Sequence, residues 1–193
     1  MREAYTVAEP CFAHELYFVE ESQFVDEDLC ATVDTGCQRT AVGSSTLARL
    51  LKKHPEELGV VFRPEQHNFR SVNGISSASR VACVPTSLGK QGSILRPAVF
   101  EEGQTKEAPF LLSHPFLLQC KAVLHLDPAA GLSLHLRKFD CTVPLHLGPT
   151  GALRVPLNQL SQGMMTKLRR AMQELGKTQA KKFTACCRIG PRP

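Results

Sequence analysis

Short apolar stretches separated by turn residues dominate the hydrophobic pattern of this chain, which is typical of a protein made mainly of β-strands. β-Branched and aromatic residues lie within many of these stretches, and Gly, Pro, Asn or Asp lie between many of them. We predict strands over residues 13–20, 29–33, 40–42, 60–63, 67–72, 80–85, 94–100, 109–113, 122–126, 132–136, 141–147 and 153–157.

Helical spacing interrupts this pattern in three places. A helix is predicted over 45–53, after a capping sequence at 43–46 and before His54-Pro55. A short helix is predicted near 115–121, where His114-Pro115 begins it. From Asn158 onward, apolar residues recur every three or four positions and predict an amphipathic C-terminal helix that Gly176 stops. Those apolar residues are Leu160, Met164, Leu168, Met172 and Leu175.

The leucines of the first predicted helix allow two interpretations. Leu47, Leu50 and Leu51 have the spacing of short helical peptides that dock in a partner's groove. The same spacing forms the buried face of an ordinary amphipathic helix. We favour the buried face.

Length and composition indicate one globular domain with extensions. The chain has 193 residues, of which 42% are hydrophobic and 21% charged. We divide it into an N-terminal extension (1–12), a main domain (13–160) and a basic helical tail or linker (161–193). No apolar run approaches the length of a membrane span, and the N-terminus lacks a signal-peptide core. We therefore expect a cytoplasmic or nuclear protein without a membrane partner.

The net charge of +5 is concentrated in the tail. Residues 161–193 contain eight Lys or Arg and a single acid, Glu174. A basic helix of this kind could contact RNA phosphates. The alternative is a solvated tail or a linker to a following segment, which we favour.

Cysteine and histidine patterns do not predict a metal site. The eight cysteines include no Cys-x-x-Cys pair, so we expect reduced thiols and no zinc. His125, His135 and His146 each lie between leucines in alternating stretches, which favours solvent-facing positions over metal ligation. Phosphate-binding glycine motifs and a nucleophile elbow are absent from the sequence, and no cofactor is expected.

The candidate chemistry lies where the apolar run 29–33 delivers Asp34 into a turn. Burying an unpaired carboxylate costs several kcal/mol, so Asp is an unfavourable residue at the end of a buried strand. Its presence there indicates a functional carboxylate. Thr35 can hydrogen-bond locally, and Gly36 allows a sharp turn. The strand pattern then resumes at Thr40.

This stretch resembles the active-site motif of aspartic peptidases, particularly the retropepsin-like family of retroviruses and retrotransposons. The resemblance rests on the apolar lead-in, Asp34-Thr35-Gly36, the small Cys37, the hydroxyl of Thr40 and the apolar Val42. It implies a closed β-barrel, the half of an acid protease, with Asp34 as the catalytic residue in a loop formed with Thr35, Gly36, Cys37 and Thr40.

A second stretch extends the resemblance over roughly residues 13–136. Leu111-Leu112-Ser113, the short helix and the strand 122–127 are similar to the unit that supports the catalytic loop in this family. Between the two stretches the family has a flap hairpin that closes over substrate. Asn-Gly is a strong hairpin signal, and its position implies a flap at 72–79 with a substrate-binding tip. The predicted tip residues are Val72, Asn73, Gly74 and Ile75. An ordinary surface hairpin is the alternative.

Three features depart from the minimal viral pattern. Ser113 stands where the family usually has Gly, and Cys37 replaces the commoner Ala. The helix predicted over 45–53 looks more like the larger retrotransposon and cellular relatives. None of these features removes the carboxylate.

The resemblance implies a homodimer, since the chain supplies a single Asp-Thr-Gly and the mechanism needs two facing carboxylates. The implied activity is hydrolysis of peptide bonds, as in polyprotein processing, with a second copy of the chain and a peptide as partners. The competing interpretation is a non-catalytic dimerisation or peptide-binding module that keeps the fold.

Overall fold

The computed structural model describes residues 26–71, 74–89, 91–127, 129 and 131–186. The predicted strand 13–20, the extension 1–12, and Val72 and Asn73 of the predicted flap lie outside these ranges, as do tail residues 187–193.

Within the described residues the fold is mainly β, as predicted, with twelve strands and three α-helices. The strands are β1 (Cys30–Asp34), β2 (Ala41–Gly43), β3 (Val61–Ser71), β4 (Gly74–Leu88), β5 (Gln91–Leu95), β6 (Ala98–Phe100), β7 (Leu111–Ser113), β8 (Ala122–Asp127), β9 (Gly131–Leu136), β10 (Cys141–Pro144), β11 (His146–Leu147) and β12 (Leu153–Pro156). The helices are α1 (Ser44–Lys53), α2 (His114–Gln119) and α3 (Gln162–Cys186).

Nine strands form one sheet in the order β11-β12-β1-β7-β2-β6-β4-β3, and β5 pairs with β4 beside this path. A second sheet has the order β10-β9-β8. The pairs β1–β7 and β2–β6 are parallel, and the other pairs are antiparallel. The candidate catalytic strand β1 therefore lies between β12 and β7.

The predicted closed barrel is wrong for the described residues, because the large sheet stays open. It ends at β11 on one side and at β3 on the other. β3 carries Pro64, which has no N–H to donate, and its register with β4 shifts between Pro64 and His67. Proline and an irregular register are features of edge strands, so pairing does not continue beyond β3.

Two predicted strands are each divided into two. The stretch 94–100 forms β5 and β6, which are separated at Arg96-Pro97, where proline interrupts the hydrogen bonding. The stretch 141–147 forms β10 in the small sheet and β11 in the large sheet. The chain changes sheets at the buried Leu145, whose N–H donates to the carbonyl of Leu132 at 2.9 Å.

A single large apolar core joins both sheets to α1 and α2. Burial of these side chains is the main favourable contribution to folding. The most deeply buried large side chains include Val42, Leu50, Phe110, Leu112, Leu134, Leu136, Val143 and Val155. β1, β2 and β7 contribute to this core. The connection from β1 to β2, residues 35–40, is called the Asp34 turn, and it lies on this close-packed base.

Helix α1 confirms the predicted helix, and its leucines belong to the core. Leu47 and Leu50 are buried, and Leu51 packs against the same cluster. The helix ends at Lys53, because His54 precedes a proline and such a residue is disfavoured in the helical conformation. The interpretation of these leucines as an exposed docking motif is therefore wrong for this conformation.

Ion pairs hold α1 against the segment that leads into β1. Lys53 Nζ lies 2.9 Å from Asp28 Oδ2, and Arg49 Nε lies 3.1 Å from Asp28 Oδ1. The hydrogen bond from Lys53 holds the pKa of Asp28 below its ordinary value. Because the folded pKa is depressed, this contribution to stability is present at neutral pH and is lost as the pH falls through that pKa.

Helix α3 is longer than predicted and does not stop at Gly176. A single glycine inside a helix costs only about 1 kcal/mol, which neighbouring helix-forming residues tolerate. Leu168 and Met172 are buried, and Leu168 lies 3.4 Å from the position that a Cβ on Gly92 of β5 would occupy. The predicted boundary at residue 161 thus falls just before a helix that packs against the large sheet.

Gly43 provides a test of the packing between β2 and the segment before β7. Its backbone conformation suits any residue, but a Cβ there would collide with the backbone carbonyl of Lys106. We predict that Gly43→Ala lowers the free energy of unfolding by about 1–3 kcal/mol in urea denaturation. Gly176→Ala is the matched control, since a Cβ there meets open space in a helix and should stabilise by up to about 1 kcal/mol. Equal effects of the two substitutions would contradict this packing.

Candidate active site

The Asp34 turn crosses the end of β7. Asp34 is the last residue of β1 and pairs in parallel register with Ser113, the last residue of β7. After the turn the chain returns as β2 on the other side of β7, where Ala41 pairs with Leu111. The backbone N–H of His114 donates to the carbonyl of Cys37 at 3.0 Å and ties the turn to the start of α2.

One oxygen of the Asp34 carboxylate is held by the turn itself. Asp34 Oδ1 accepts hydrogen bonds from the backbone N–H groups of Gly36 at 2.9 Å and Cys37 at 3.1 Å. The side chain is half-exposed, and among the described residues no donor is bonded to Oδ2. The carboxylate therefore has a fixed orientation and an oxygen available to accept a proton or bind water.

Gly36 lies close to this carboxylate. A Cβ on Gly36 would lie 3.3 Å from Asp34 Oδ1, which is tighter than most real Cβ contacts. Thr35 and Gly36 are both exposed, and the Thr35 hydroxyl has no hydrogen-bond partner within the described part of the chain. The front of the turn is thus open to a ligand or to another protein.

Thr40 and Ser113 form a buried hydroxyl pair beneath the turn. Their Oγ atoms lie 3.1 Å apart, and Ser113 N–H donates to Thr40 Oγ1 at 3.4 Å. Ser113 is only 2% exposed. Its hydroxyl also accepts from Phe116 N–H at 3.3 Å, so it caps α2. Ser113 therefore gives the turn, β7 and α2 a common hydrogen-bonding residue that glycine could not provide.

Cys37 carries a protonated thiol at neutral pH. Its Sγ donates to the carbonyl of Arg39 at 2.8 Å. Desolvation raises the pKa of the Cys37 thiol above its ordinary value, and the neighbouring Asp34 carboxylate acts in the same direction. A thiolate nucleophile is therefore disfavoured here, and the carboxylate is the group suited to base chemistry.

Leu111 and Leu112, which were predicted to support the turn, both lie in β7 but are buried to different extents. Leu112 is fully buried in the core, and Leu111 is half-buried next to it. Both were predicted to support the turn, and their pairing with Val33 and Thr32 brings them beside it.

The predicted flap belongs to a long hairpin. β3 and β4 pair up to Ser71 and Gly74, and the side chain of Ile75 is 71% exposed. Val72 and Asn73 fall outside the described residues. The hairpin is thus longer than the three short strands predicted for it, and its strand β4 exposes the apolar side chain of Ile75.

The three histidines considered for metal ligation lie on three different strands, β8, β9 and β11. His125 is exposed on β8, whereas His135 and His146 are half-buried. His135 Nδ1 hydrogen-bonds with Thr142 Oγ1 at 2.9 Å. No group of three His, Cys, Asp or Glu within the described ranges has the geometry to hold a metal ion.

A polar cluster beside the turn was not predicted. Arg39, in the turn, lies close to Glu65 and His67 of β3, and Arg96 lies close to Glu65. These side chains come from three separate segments of the chain. No local spacing in the sequence could have indicated their proximity.

No protein-family model matches the chain, and a search of curated proteins finds no match. None of the helices in the described ranges has both the length and the apolar character needed to cross a membrane.

Ser113 allows the support of the turn to be tested. Replacing Ser113 by Ala removes the side-chain cap of α2 and removes the side-chain partner of the buried Thr40 hydroxyl. We predict a loss of about 1–3 kcal/mol in the free energy of unfolding. Ser79→Ala is the control, because Ser79 makes an exposed hydrogen bond to Glu101 and should change stability by less than about 0.5 kcal/mol. A Ser113 variant as stable as the control would show that the hydroxyl pair contributes nothing.

Proposed function

We propose that this protein is a retropepsin-type aspartic endopeptidase, active as a homodimer, that hydrolyses peptide bonds by means of two Asp34 carboxylates. Its proposed substrate is an extended peptide, such as a cleavage junction in a polyprotein.

The hydrogen bonding and accessibility of the Asp34 carboxylate are the main support for this proposal. One of its oxygens is held by two backbone N–H groups of its own turn. A general base needs this combination of fixed orientation and an accessible lone pair. The buried Thr40–Ser113 pair below the turn limits its movement, which supports a preorganised site.

The order of elements around Asp34 also supports the proposal. The Asp-Thr-Gly strand β1, the hairpin β3–β4, the Leu-Leu-Ser strand β7 and the short helix α2 follow one another as in the family that the sequence resembles. The parallel pairing of β1 and β7 brings the two motif stretches side by side.

In the proposed mechanism, the Asp34 carboxylates of two copies face each other and share one proton. Two such close groups cannot both ionise, so they titrate as a pair. The ionised group takes a proton from a water molecule that attacks the peptide carbonyl. The protonated group donates to the carbonyl oxygen, which gives a tetrahedral intermediate. The carboxyl that took the proton from water then donates it to the amide nitrogen as the C–N bond breaks, and the other carboxylate takes a proton back from the intermediate's hydroxyl as the new carboxyl group forms. Gly74 and Ile75 would close over the peptide, whose backbone pairs with the hairpin as an added strand.

A surface next to the turn suits the second copy. β8 is an edge strand of the small sheet, and an exposed edge with apolar side chains favours pairing with another chain. Leu126 on β8 and Leu118 on α2 are among the most exposed large apolar side chains described. A cavity of about 220 Å³ is lined by both Thr35 and Leu118, so this apolar surface continues to the front of the turn.

The role of Asp34 is tested by Asp34→Asn. We predict loss of peptide cleavage, since the amide cannot act as a general base, with an unchanged circular dichroism spectrum. Cleavage is measured as self-processing of the chain expressed with flanking sequence and as its inhibition by pepstatin. Asp140→Asn is the matched control, because it makes the same charge change at an exposed site and should leave cleavage intact.

Two results would count against the enzyme. Cleavage that survives in purified Asp34→Asn protein would show that Asp34 is not the catalytic group. A wild-type dimer that binds peptides but never cleaves them would favour the non-catalytic module.

The dimer surface is tested by Leu126→Asp, which adds a charge to the edge strand β8. We predict that the dimer dissociates at least tenfold more readily in sedimentation experiments, and that cleavage falls with it. Leu147→Asp is the matched control, because Leu147 is 53% exposed and Leu126 is 56% exposed, but Leu147 lies on the edge strand β11 of the other sheet. Equal weakening by the two substitutions, or none by Leu126→Asp, would contradict this surface.

A further inference from the structure

A polar cavity of about 400 Å³ lies beside the Asp34 turn. Gln38, Arg39 and Thr40 of the turn line it, together with Ser113, the residue paired with Asp34. Glu65 of β3 also lines it and belongs to the hairpin that carries the predicted flap. An extended peptide lying between Asp34 and this hairpin would therefore pass the cavity.

Two arginines from different segments converge at this cavity on one carboxylate. Arg96 Nη2 lies 3.1 Å from Glu65 Oε2, and Arg39 Nη2 lies 3.7 Å from Glu65 Oε1. Arg39 also hydrogen-bonds to the imidazole of His67, whose Nε2 is 3.0 Å from Glu65 Oε1. The two arginine side chains are about half exposed, so they remain accessible from solvent.

The charge at this cavity is net positive. Among its lining residues Arg39 and Arg96 are cationic and Glu65 is the acid. A guanidinium group presents five donors, and one carboxylate cannot use the donors of two such groups. The cavity can therefore accept a further carboxylate, whose methylene groups would contact Ile94 and Phe116.

We infer that this cavity is a specificity site that selects an acidic side chain, Glu or Asp, at one position of the bound peptide. Arg39 and Arg96 bind the side-chain carboxylate by charge-assisted hydrogen bonds. Glu65 competes for the same arginine donors and limits how strongly an acid binds. The inference rests on the proposed peptidase function, because it concerns the peptide that reaches Asp34.

The experiment uses full-length Asp34→Asn protein, so that peptides bind without being cleaved. The immobilised protein is incubated with a position-scanning library of octapeptides, and the retained peptides are sequenced by mass spectrometry. At one position, we expect Glu and Asp to be enriched roughly five- to tenfold over Gln and Asn. The double substitution Arg39→Ala with Arg96→Ala should abolish this enrichment.

Two further variants separate charge at the cavity from general charge effects. Arg170→Ala is the matched control, because Arg170 is 85% exposed on α3 and pairs with Glu174, so the enrichment should persist. Glu65→Gln should increase the enrichment, since it removes the competing carboxylate. Circular dichroism checks that each variant is folded.

The outcomes distinguish the inference from the proposed function. Peptide binding with no acidic preference, or a preference that survives the double arginine substitution, overturns the specificity site and leaves the peptidase proposal intact. A fall in acidic preference in Glu65→Gln also overturns it. Failure of unmutated protein to cleave any peptide, with acidic selection retained in the Asp34→Asn protein, overturns the peptidase and leaves the binding site.

Discussion

The buried hydrogen bond between Thr40 and Ser113 is the interaction on which the candidate site depends. It joins the end of the Asp34 turn to β7, and Ser113 in turn caps α2. Both hydroxyls are buried, where an unpaired polar group is costly and a paired one favours a single arrangement. This attachment fixes the turn on β7, and the backbone N–H groups of the turn then orient the carboxylate.

Local chemistry explains why the turn could be predicted from sequence. A carboxylate followed by Thr-Gly makes its own hydrogen bonds within three residues, so the geometry is encoded where it occurs. In the sequence, Ser113 stands out only as a departure from the glycine of the family it resembles. Its role as a helix cap is also encoded locally, because a serine followed closely by a proline is typical of a helix N-terminus. This role could therefore be predicted from the sequence.

Contacts between distant segments could not be predicted in this way. β12 pairs with β1, the strand that ends in Asp34, but nothing in its alternating pattern indicates which strand it joins. The cluster of Arg39, Glu65 and Arg96 depends on the path of the whole hairpin. The open sheet and the continuation of α3 through Gly176 likewise reflect pairing and packing that outweigh local signals.

The proposed active site uses the Asp34 carboxylates of two copies. Its most direct test mixes wild-type and Asp34→Asn protein at fixed total concentration and lets the subunits exchange before cleavage is measured. If both carboxylates are needed, activity falls with the square of the wild-type fraction, and an equimolar mixture retains about a quarter of it. Activity that falls in simple proportion to the wild-type fraction would mean that each chain works alone, and it would contradict the account.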